Sequence, residues 1–170
     1  MSTSPDVSTP CWYALRTRSR HEKVVRDRLS SSGFEPFLPL ARTIRQWSDR
    51  RKSVEIPLFS GYCFARFALE ARYSVLQIPG IVNIVGTTTP EPIPQEELSA
   101  IKTLVASERN CDPHTYLAEG AWVEVVKGPL VGLRGQLVRK AGRHCIVIRV
   151  HLIQQAAAVH IDAREVVPVV

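Results

Sequence analysis

Apolar and polar positions change their period several times in the first third of the chain, and each change predicts a new element. The run CWYALRT, from Cys11 to Thr17, has the composition of a short strand. Ser19 and Glu22 have the spacing of a capping box, so a helix is predicted to begin there. Gly33 stands where a left-handed residue would end that helix.

Two extended segments joined by a polar, basic turn are predicted next. The segment FEPFLPLARTIRQW contains Pro36 and Pro39, which exclude a helix and suit an edge strand or an irregular strand. Ser48–Lys52 has the sequence SDRRK and is predicted to form the tip of a hairpin. The chain is then expected to return as one long strand rich in aromatic residues, SVEIPLFSGYCFARF.

The following pattern predicts two helices with a strand between them. A short helix is expected over Leu69–Gln77, because a Pro-Gly pair follows it, and Ile81–Val85 is expected to be a compact buried strand. A third helix is expected to begin near Pro94, since apolar residues recur on one face after it. The predicted order is βαββαβα, an α+β sandwich in which helices pack on an antiparallel sheet.

The last third of the chain has a different character. Ser107–Gly120 is polar and lacks periodicity, so it is predicted to be a linker. Beyond it the chain contains short β-like runs: WVEVV, GQLVR, HCIVIRV, AVHI and EVVPV. Five short strands in about fifty residues predict a small all-β barrel.

Three glycines and a proline separate the first two of these runs, and they predict a loop. Gly128-Pro129 would begin the turn, and Gly132 would adopt a positive φ. Gly135 would begin the next strand at a point where a side chain would be crowded. The predicted domains are a disordered start (1–10), an α+β domain (11–106), a linker (107–120) and a barrel (121–170).

The charge is concentrated near the N-terminus. The whole chain carries a net charge of +6, whereas Trp12–Lys52 alone has eleven Lys and Arg residues against four acidic ones. Such a local excess favours a polyanionic partner, nucleic acid first, because neutralising phosphates releases counterions. A solvated face that keeps the protein soluble is the alternative interpretation.

Several classes of function lack support in the sequence. No apolar run is long enough to cross a bilayer and the start does not resemble a signal peptide, so a cytoplasmic protein is expected. The histidines form no catalytic set, and the glycines match no phosphate-binding loop. The cysteines are far apart, which gives little support for zinc or disulfides: Cys11, Cys63, Cys111 and Cys145. We therefore expect no enzyme activity, no metal and no cofactor.

Four segments together resemble a known family. Val125–Val138 resembles a KOW motif, the core of a small five-stranded SH3-like barrel. The segments WYALRTRSRHEKVVRDRL, LFSGYCFARF and VLQIPGIVNIVG resemble successive parts of the N-terminal (NGN) domain of NusG-like transcription factors. The hairpin segment RTIRQWSDRRKSVEIPLF looks most like the specialised UpxY and RfaH antiterminators of polysaccharide operons.

The resemblance implies a transcription elongation and antitermination factor without enzyme activity. Such a factor docks on the clamp helices of the RNA polymerase β′ subunit, reaches the β subunit, contacts non-template DNA, and suppresses pausing and termination. A monomer acting on particular operons is implied. Housekeeping NusG and a ribosome-associated RNA-binding KOW protein are the alternatives.

The resemblance also assigns residues. The polymerase-docking patch would consist of Phe59, Tyr62, Phe64 and Ile84, and the contact to the β subunit would fall on Arg72, Tyr73 and Ser74. Contact with DNA would come from Arg18, Arg20, His21, Lys23 and Arg28. The KOW domain would meet a ribosomal protein or the Rho terminator through Leu133 and Arg134.

From the residues alone, two of these assignments have an ordinary structural alternative. The aromatic strand is also what core packing would produce, and the basic residues also suit a solvated helix face. In RfaH the KOW segment can form a helical hairpin, and LIQQAAAVHIDAREVV has helix propensity. The β-branched run CIVIRV favours strands, so a barrel is expected here.

Overall fold

The computed structural model describes residues 6–107, 111–114, 120–140 and 143–169. The helices and strands follow one another as β1 Cys11–Thr17, α1 Glu22–Ser31, β2 Glu35–Phe37, β3 Leu40–Gln46, β4 Arg51–Pro57, β5 Tyr62–Phe67, α2 Arg72–Leu76, β6 Ile81–Ile84, α3 Gln95–Ala106, β7 Cys111–His114, β8 Trp122–Val125, β9 Arg134–Lys140, β10 Arg143–Val150, β11 Gln155–His160 and β12 Val166–Pro168. A 3₁₀ turn, Leu69–Ala71, precedes α2.

The chain divides into two compact units whose boundaries are not sequential. The first unit contains Met1–Leu38 and Ser60–Gln95, and the second contains Pro39–Phe59 and Glu96–Val170. These units do not coincide with the predicted domains at 11–106 and 121–170, because the hairpin β3–β4 and most of α3 belong to the second unit. Residues 1–5 of the predicted disordered start lie outside the described residues.

The first unit is built on a four-stranded antiparallel sheet in the order β2-β5-β1-β6. Strand β1 lies inside the sheet, and its residues Trp12–Leu15 are all buried, which explains why this run is apolar without alternation. Aromatic rings pack across the strands, with the centroids of Tyr13 and Phe67 4.8 Å apart.

Helix α1 ends as predicted but begins differently. At its C-terminus the N–H of Gly33 donates to Ser30 O and that of Phe34 to Leu29 O, with Gly33 at φ 85°. These two bonds form a Schellman motif and confirm the predicted end. The predicted capping box is wrong, because His21 is the N-cap and no side chain caps the helix.

Two strand predictions were also wrong. The aromatic segment is not one strand: β4 ends at Pro57, β5 begins at Tyr62, and the two lie in different sheets. Gly61, at φ 83°, turns the chain between them. The predicted long strand therefore becomes two, as does the preceding extended segment, and the order up to α3 is βαββββαβα.

The second unit contains the hairpin β3–β4 and a six-stranded sheet in the order β12-β8-β9-β10-β11-β7. The five predicted short strands are confirmed as β8 to β12. Strand β7 lies inside the predicted linker and adds a sixth, pairing with β11. The remaining parts of that linker, 108–110 and 115–119, lie outside the described residues. This all-β sheet fits the predicted KOW barrel, and the α+β fold class is confirmed.

The glycine loop between β8 and β9 has the predicted backbone. Gly128 and Gly132 adopt φ values of 86° and 89°. A Cβ on Gly135 would lie 2.5 Å from Ile146 Cγ2 and 2.7 Å from Val147 O. Gly132 therefore supplies a left-handed turn residue, and Gly135 lets two strands approach each other closely.

Candidate functional site

The residues predicted to dock on the polymerase are mostly buried. Phe64 is fully buried, its ring 6.2 Å from that of Phe37, and Phe59 and Ile84 are buried as well. Tyr62 is half-buried. Strand β5 pairs with neighbours on both edges and is covered on both faces, so strand alternation does not reveal an exposed aromatic face. Phe64 and Ile84 lie inside the first unit and Phe59 inside the second, so direct contact of these residues with a partner stays a prediction.

The three residues predicted to face the β subunit lie together at the start of α2. Ser74 and Tyr73 are exposed, and Arg72 is half-buried. The guanidinium of Arg72 lies 4.8 Å from the centroid of the Tyr73 ring, and its Nη2 donates to the Tyr73 hydroxyl at 3.1 Å. This hydrogen bond lowers the pKa of Tyr73, because the cation favours the phenolate. The arrangement presents a cation and an aromatic ring at the surface.

An exposed apolar patch adjoins this start of α2, and the sequence did not reveal it. We call Tyr73, Leu76 and Val82 the α2–β6 patch; all three are exposed, and α2 packs against β6. Val82 lies where the pairing of β1 with β6 shifts register, since Thr17 pairs with Ile81 while Arg16 pairs with Asn83. The extra residue of such a bulge turns outward, so the predicted buried strand exposes a valine instead.

The predicted DNA-contacting residues lie on the connection from β1 to α1 and on α1 itself. Arg18, Arg20, Lys23 and Arg28 are exposed, and His21 is half-buried. Their backbone is held by specific contacts: Arg18 N–H donates to Gly80 O at 2.8 Å.

Arg28 is tied to the same loop, since its Nη1 donates to Pro79 O at 2.6 Å. Gly80 makes the close approach possible, because a Cβ there would lie 2.9 Å from Val25 Cγ2. The geometry thus gathers Arg18, His21 and Arg28 around one loop while leaving the other cations in solvent. Such a surface suits phosphate contacts.

In the second unit, the two residues predicted to meet the KOW partner differ in exposure. Leu133 is 3% exposed and belongs to the core of the unit. Arg134 is exposed, and its Nε lies 3.1 Å from Glu124 Oε2 on the neighbouring strand. The exposed apolar residues of the loop are Val126 and Val131, and Val131 lies two positions before Leu133.

A cavity of about 670 Å³ lies within the second unit, between α3 and the sheet, and its lining includes Trp122, Arg149, His151 and Glu97. The Nδ1 of His151 lies 2.6 Å from Glu97 Oε1. Ser99 and Thr103 also line this cavity, and the hydroxyl of Thr103 donates to Ser99 O at 2.9 Å.

Two cysteines, Cys63 and Cys145, are buried as small side chains, and Cys11 is half-buried. Burial raises the pKa of Cys63 to about 12, so it carries a neutral thiol at physiological pH. Cys145 Sγ lies 3.2 Å from His160 Nδ1, but the side chain of Cys145 is not accessible to solvent. Among the described residues no group of three or more His, Cys, Asp or Glu side chains could hold a metal ion.

None of the helices described by the structure has the length and hydropathy needed to cross a membrane; α3, with twelve residues, is the longest of them.

The two units define the class of the protein as mixed α+β, with an antiparallel sheet and helices followed by an all-β sheet. The family described as "Transcription termination factor nusG" matches residues 10–102, which is more than half of the chain. This chain belongs to the NusG family, and it is in general terms a transcription elongation factor.

One solved structure agrees with the fold. NusG of Thermotoga maritima, in a structure of its domain interaction, is 21% identical over 95% of this chain and 98% of its own, with a TM-score of 0.56. Two conformations of the MjSpt4:Spt5 complex match at 16% and 17% identity over 93% of this chain and 96% and 97% of theirs, with TM-scores of only 0.32. The comparison with curated proteins gave no match.

Proposed function

We propose that this chain binds RNA polymerase through the β′ clamp helices and suppresses pausing and termination, as a specialised antiterminator of particular operons such as those for polysaccharide synthesis. The observation that carries the proposal is the family match over residues 10–102. The specialised role rests on the resemblance of the hairpin segment to the UpxY and RfaH group. The proposal places the factor in the cytoplasm, as a monomer without a cofactor or catalytic step.

The mechanism we propose is differential binding. A factor that bridges β′ and β in the closed clamp, and loses one of these contacts when the clamp opens, shifts the population towards the closed state. Shifting that equilibrium from 1:99 to 99:1 requires about 10⁴-fold tighter binding to the closed clamp. The contact that is lost when the clamp opens must supply this whole difference, about 5.5 kcal/mol.

The α2–β6 patch is the best candidate for direct contact with polymerase. Its three side chains are exposed, whereas Phe59, Phe64 and Ile84 of the predicted docking patch are buried. Aromatic and apolar anchors dominate the energetics of protein interfaces. In the proposal the buried aromatic residues hold the sheet that presents this patch, and Tyr62 and the Arg72–Ser74 segment extend it towards the β subunit.

The basic residues around the β1–α1 connection are proposed to contact non-template DNA. Their exposure and the carbonyl contacts of Arg18 and Arg28 support a fixed cationic surface. In the second unit, Arg134 and Val131 are the exposed residues through which a ribosomal protein or Rho would be met, with Leu133 packing beneath them.

Binding of the purified full chain to core polymerase tests the docking surface. We expect Val82→Asp to weaken binding about thirtyfold, because a carboxylate would be desolvated in an apolar contact. Val7→Asp is the matched control, since Val7 and Val82 are both valines of the first unit and are 50% and 54% exposed. Equal binding by the two variants would rule out the α2–β6 patch as the docking surface.

The alternatives give different results in the same experiment. A ribosome-associated protein would bind ribosomal RNA and fail to retain polymerase. A housekeeping NusG would bind polymerase and act at most transcription units, instead of at the operon beside its own gene.

A further inference from the structure

The hairpin β3–β4 carries an exposed tryptophan at its tip. Trp47 is 55% exposed, although tryptophan is usually well buried in a folded protein. The backbone N–H of Trp47 donates to Arg50 O at 2.8 Å, so the two residues face each other across the two-residue loop Ser48-Asp49. The strands behind them pair in register, Gln46 with Arg51 and Arg45 with Lys52. The ring is therefore held on a defined backbone.

The register separates the two faces of the hairpin. Paired residues in an antiparallel hairpin project to the same face, and successive pairs alternate. Trp47 thus shares a face with Arg50 and with the pair Arg45 and Lys52, all of which are exposed. We call these four residues the tryptophan face; three of its four side chains are cations, and none is acidic. Further from the tip the same face is packed against the protein, where Ala41 is buried.

The opposite face has a different composition. It presents Ile44, Gln46 and Arg51. Arg42 also lies on this face, and its Nε is 3.6 Å from Glu55 Oε1, so the carboxylate partly neutralises the charge of Arg42. The two faces share one backbone and one loop. They therefore allow a comparison in which the same charge is removed from one side or the other of a single hairpin.

An aromatic ring among cations is the arrangement that binds an unpaired nucleic-acid strand. Every base has a flat face that can stack on an indole, and cations beside the ring neutralise the phosphates on either side of the base. In a duplex the bases are already stacked on one another, so an indole on a hairpin tip has no base face to contact. An acidic protein surface would use the cations and leave the exposed ring without a role.

We propose that the tryptophan face is a binding site for single-stranded DNA, in which Trp47 stacks on a base and Arg45, Arg50 and Lys52 contact phosphates. The groups present recognise base and phosphate and do not distinguish the sugar. We take DNA as the occupant because the proposed function brings the chain to the non-template DNA strand, and in this choice the inference rests on that function. The site consists of residues of the second unit, whereas α1 belongs to the first, and its binding needs no polymerase. It therefore adds a site to those of the proposed function.

Binding of the full chain to a fluorescein-labelled dT20 oligonucleotide, measured by anisotropy at several salt concentrations, tests this site. Trp47→Ala should weaken binding about tenfold, whereas Ile44→Ala, which removes an exposed side chain from the opposite face, should leave it unchanged. Equal effects of the two substitutions would overturn the stacking role of Trp47. Both residues are exposed, so neither variant is expected to affect folding, which circular dichroism checks.

A pair of charge-matched double variants tests the phosphate contacts. Arg50→Ala/Lys52→Ala should reduce the slope of log K against log salt by about 1.4, because each phosphate contact to a single strand contributes about 0.7. Arg42→Ala/Arg51→Ala removes the same charge from the other face and should change the slope much less. Equal slopes for the two double variants would mean that the tip acts only through its net charge and would contradict the site.

Two further ligands complete the test. A duplex of the same length bound as tightly as dT20 would overturn the preference for an unpaired strand, and rU20 bound more tightly than dT20 would overturn the choice of DNA. Because no polymerase is present, failure here leaves the docking surface untouched, and loss of polymerase binding by Val82→Asp leaves this site untouched.

Discussion

Glu22 connects the start of α1 to the turn before β5. Its carboxylate is buried and its Oε1 accepts the N–H of Gly61 at 2.9 Å, while Gly61 O accepts the N–H of Thr17. The sequence offered Glu22 as half of a capping box, which the structure does not contain. Its actual partner lies 39 residues away, and a helix-cap pattern holds no information about such a distant contact.

Replacing Glu22 should destabilise the protein measurably. Glu22→Ala leaves the N–H of Gly61 without its acceptor in a partly buried site, which we expect to cost about 1–2 kcal/mol in the free energy of unfolding. Glu22→Gln keeps an oxygen acceptor of the same reach and should cost less. Urea denaturation of the three proteins measures both values, and equal stabilities of Glu22→Ala and the unmodified chain would show that the bond contributes nothing.

Leu133 shows the limit of residue-level inference from a motif. The loop position suggested an exposed contact, but the hydrogen bonds from Gly132 N–H to Val125 O and from Val125 N–H to Leu133 O fold the loop back on β8. Leu133 then turns into the core, and Val131 takes the exposed position. The sequence correctly located the loop, whereas the direction of each side chain depends on hydrogen bonds between residues eight or so positions apart.

At the scale of elements, the sequence predicted the features that depend on a few neighbouring residues. It did not predict the features that depend on how strands pair. Gly33 ends α1, Ser48 and Asp49 form the hairpin loop, and the five short strands of the C-terminal sheet are present, because glycine, turn residues and β-branched runs act over a few positions. The bulge at Val82 and the covering of both faces of β5 arise from neighbouring strands. Neither could be read from one strand alone.

A substitution at Gly135 tests the close packing of β9 and β10. Gly135→Ala would place a methyl group 2.7 Å from Val147 O, and a backbone atom in a sheet cannot move aside cheaply. We expect a loss of about 2 kcal/mol or more, through overpacking between β9 and β10.

Gly132→Ala is the matched control in the same loop. Nothing lies within 4 Å of a Cβ there, so the substitution should cost only the strain of a left-handed alanine, about 1 kcal/mol. Thermal and urea denaturation give the order of the two variants. If Gly135→Ala were as stable as the unmodified chain, the close approach of the two strands would be wrong.

At the scale of the whole molecule, the basic excess of residues 12–52 divides between the two units. The cations of α1 belong to the first unit, and those of the hairpin tip belong to the second. A net charge indicated a polyanionic partner, but only the structure shows that the cations are divided between the two units, with one basic surface on each. One suits phosphates alone, and the other adds an exposed aromatic ring.

Family membership and fold were accessible from the sequence because four segments of the chain carry the resemblance in the right order. The docking surface was not accessible from the sequence, because an aromatic strand has the same sequence pattern whether its rings face a partner or the core. The central claim therefore rests on the family match together with an exposed patch that only the fold reveals.

The most direct test of the central claim is a single-round transcription assay with purified polymerase on a template carrying the leader of the operon next to the protein's own gene. With the full chain present, we expect shorter dwell times at pause sites and more read-through at terminators, and Val82→Asp should lose both effects while Val7→Asp keeps them. Unchanged pausing and termination with the unmodified protein, at concentrations that saturate polymerase binding, would contradict the account.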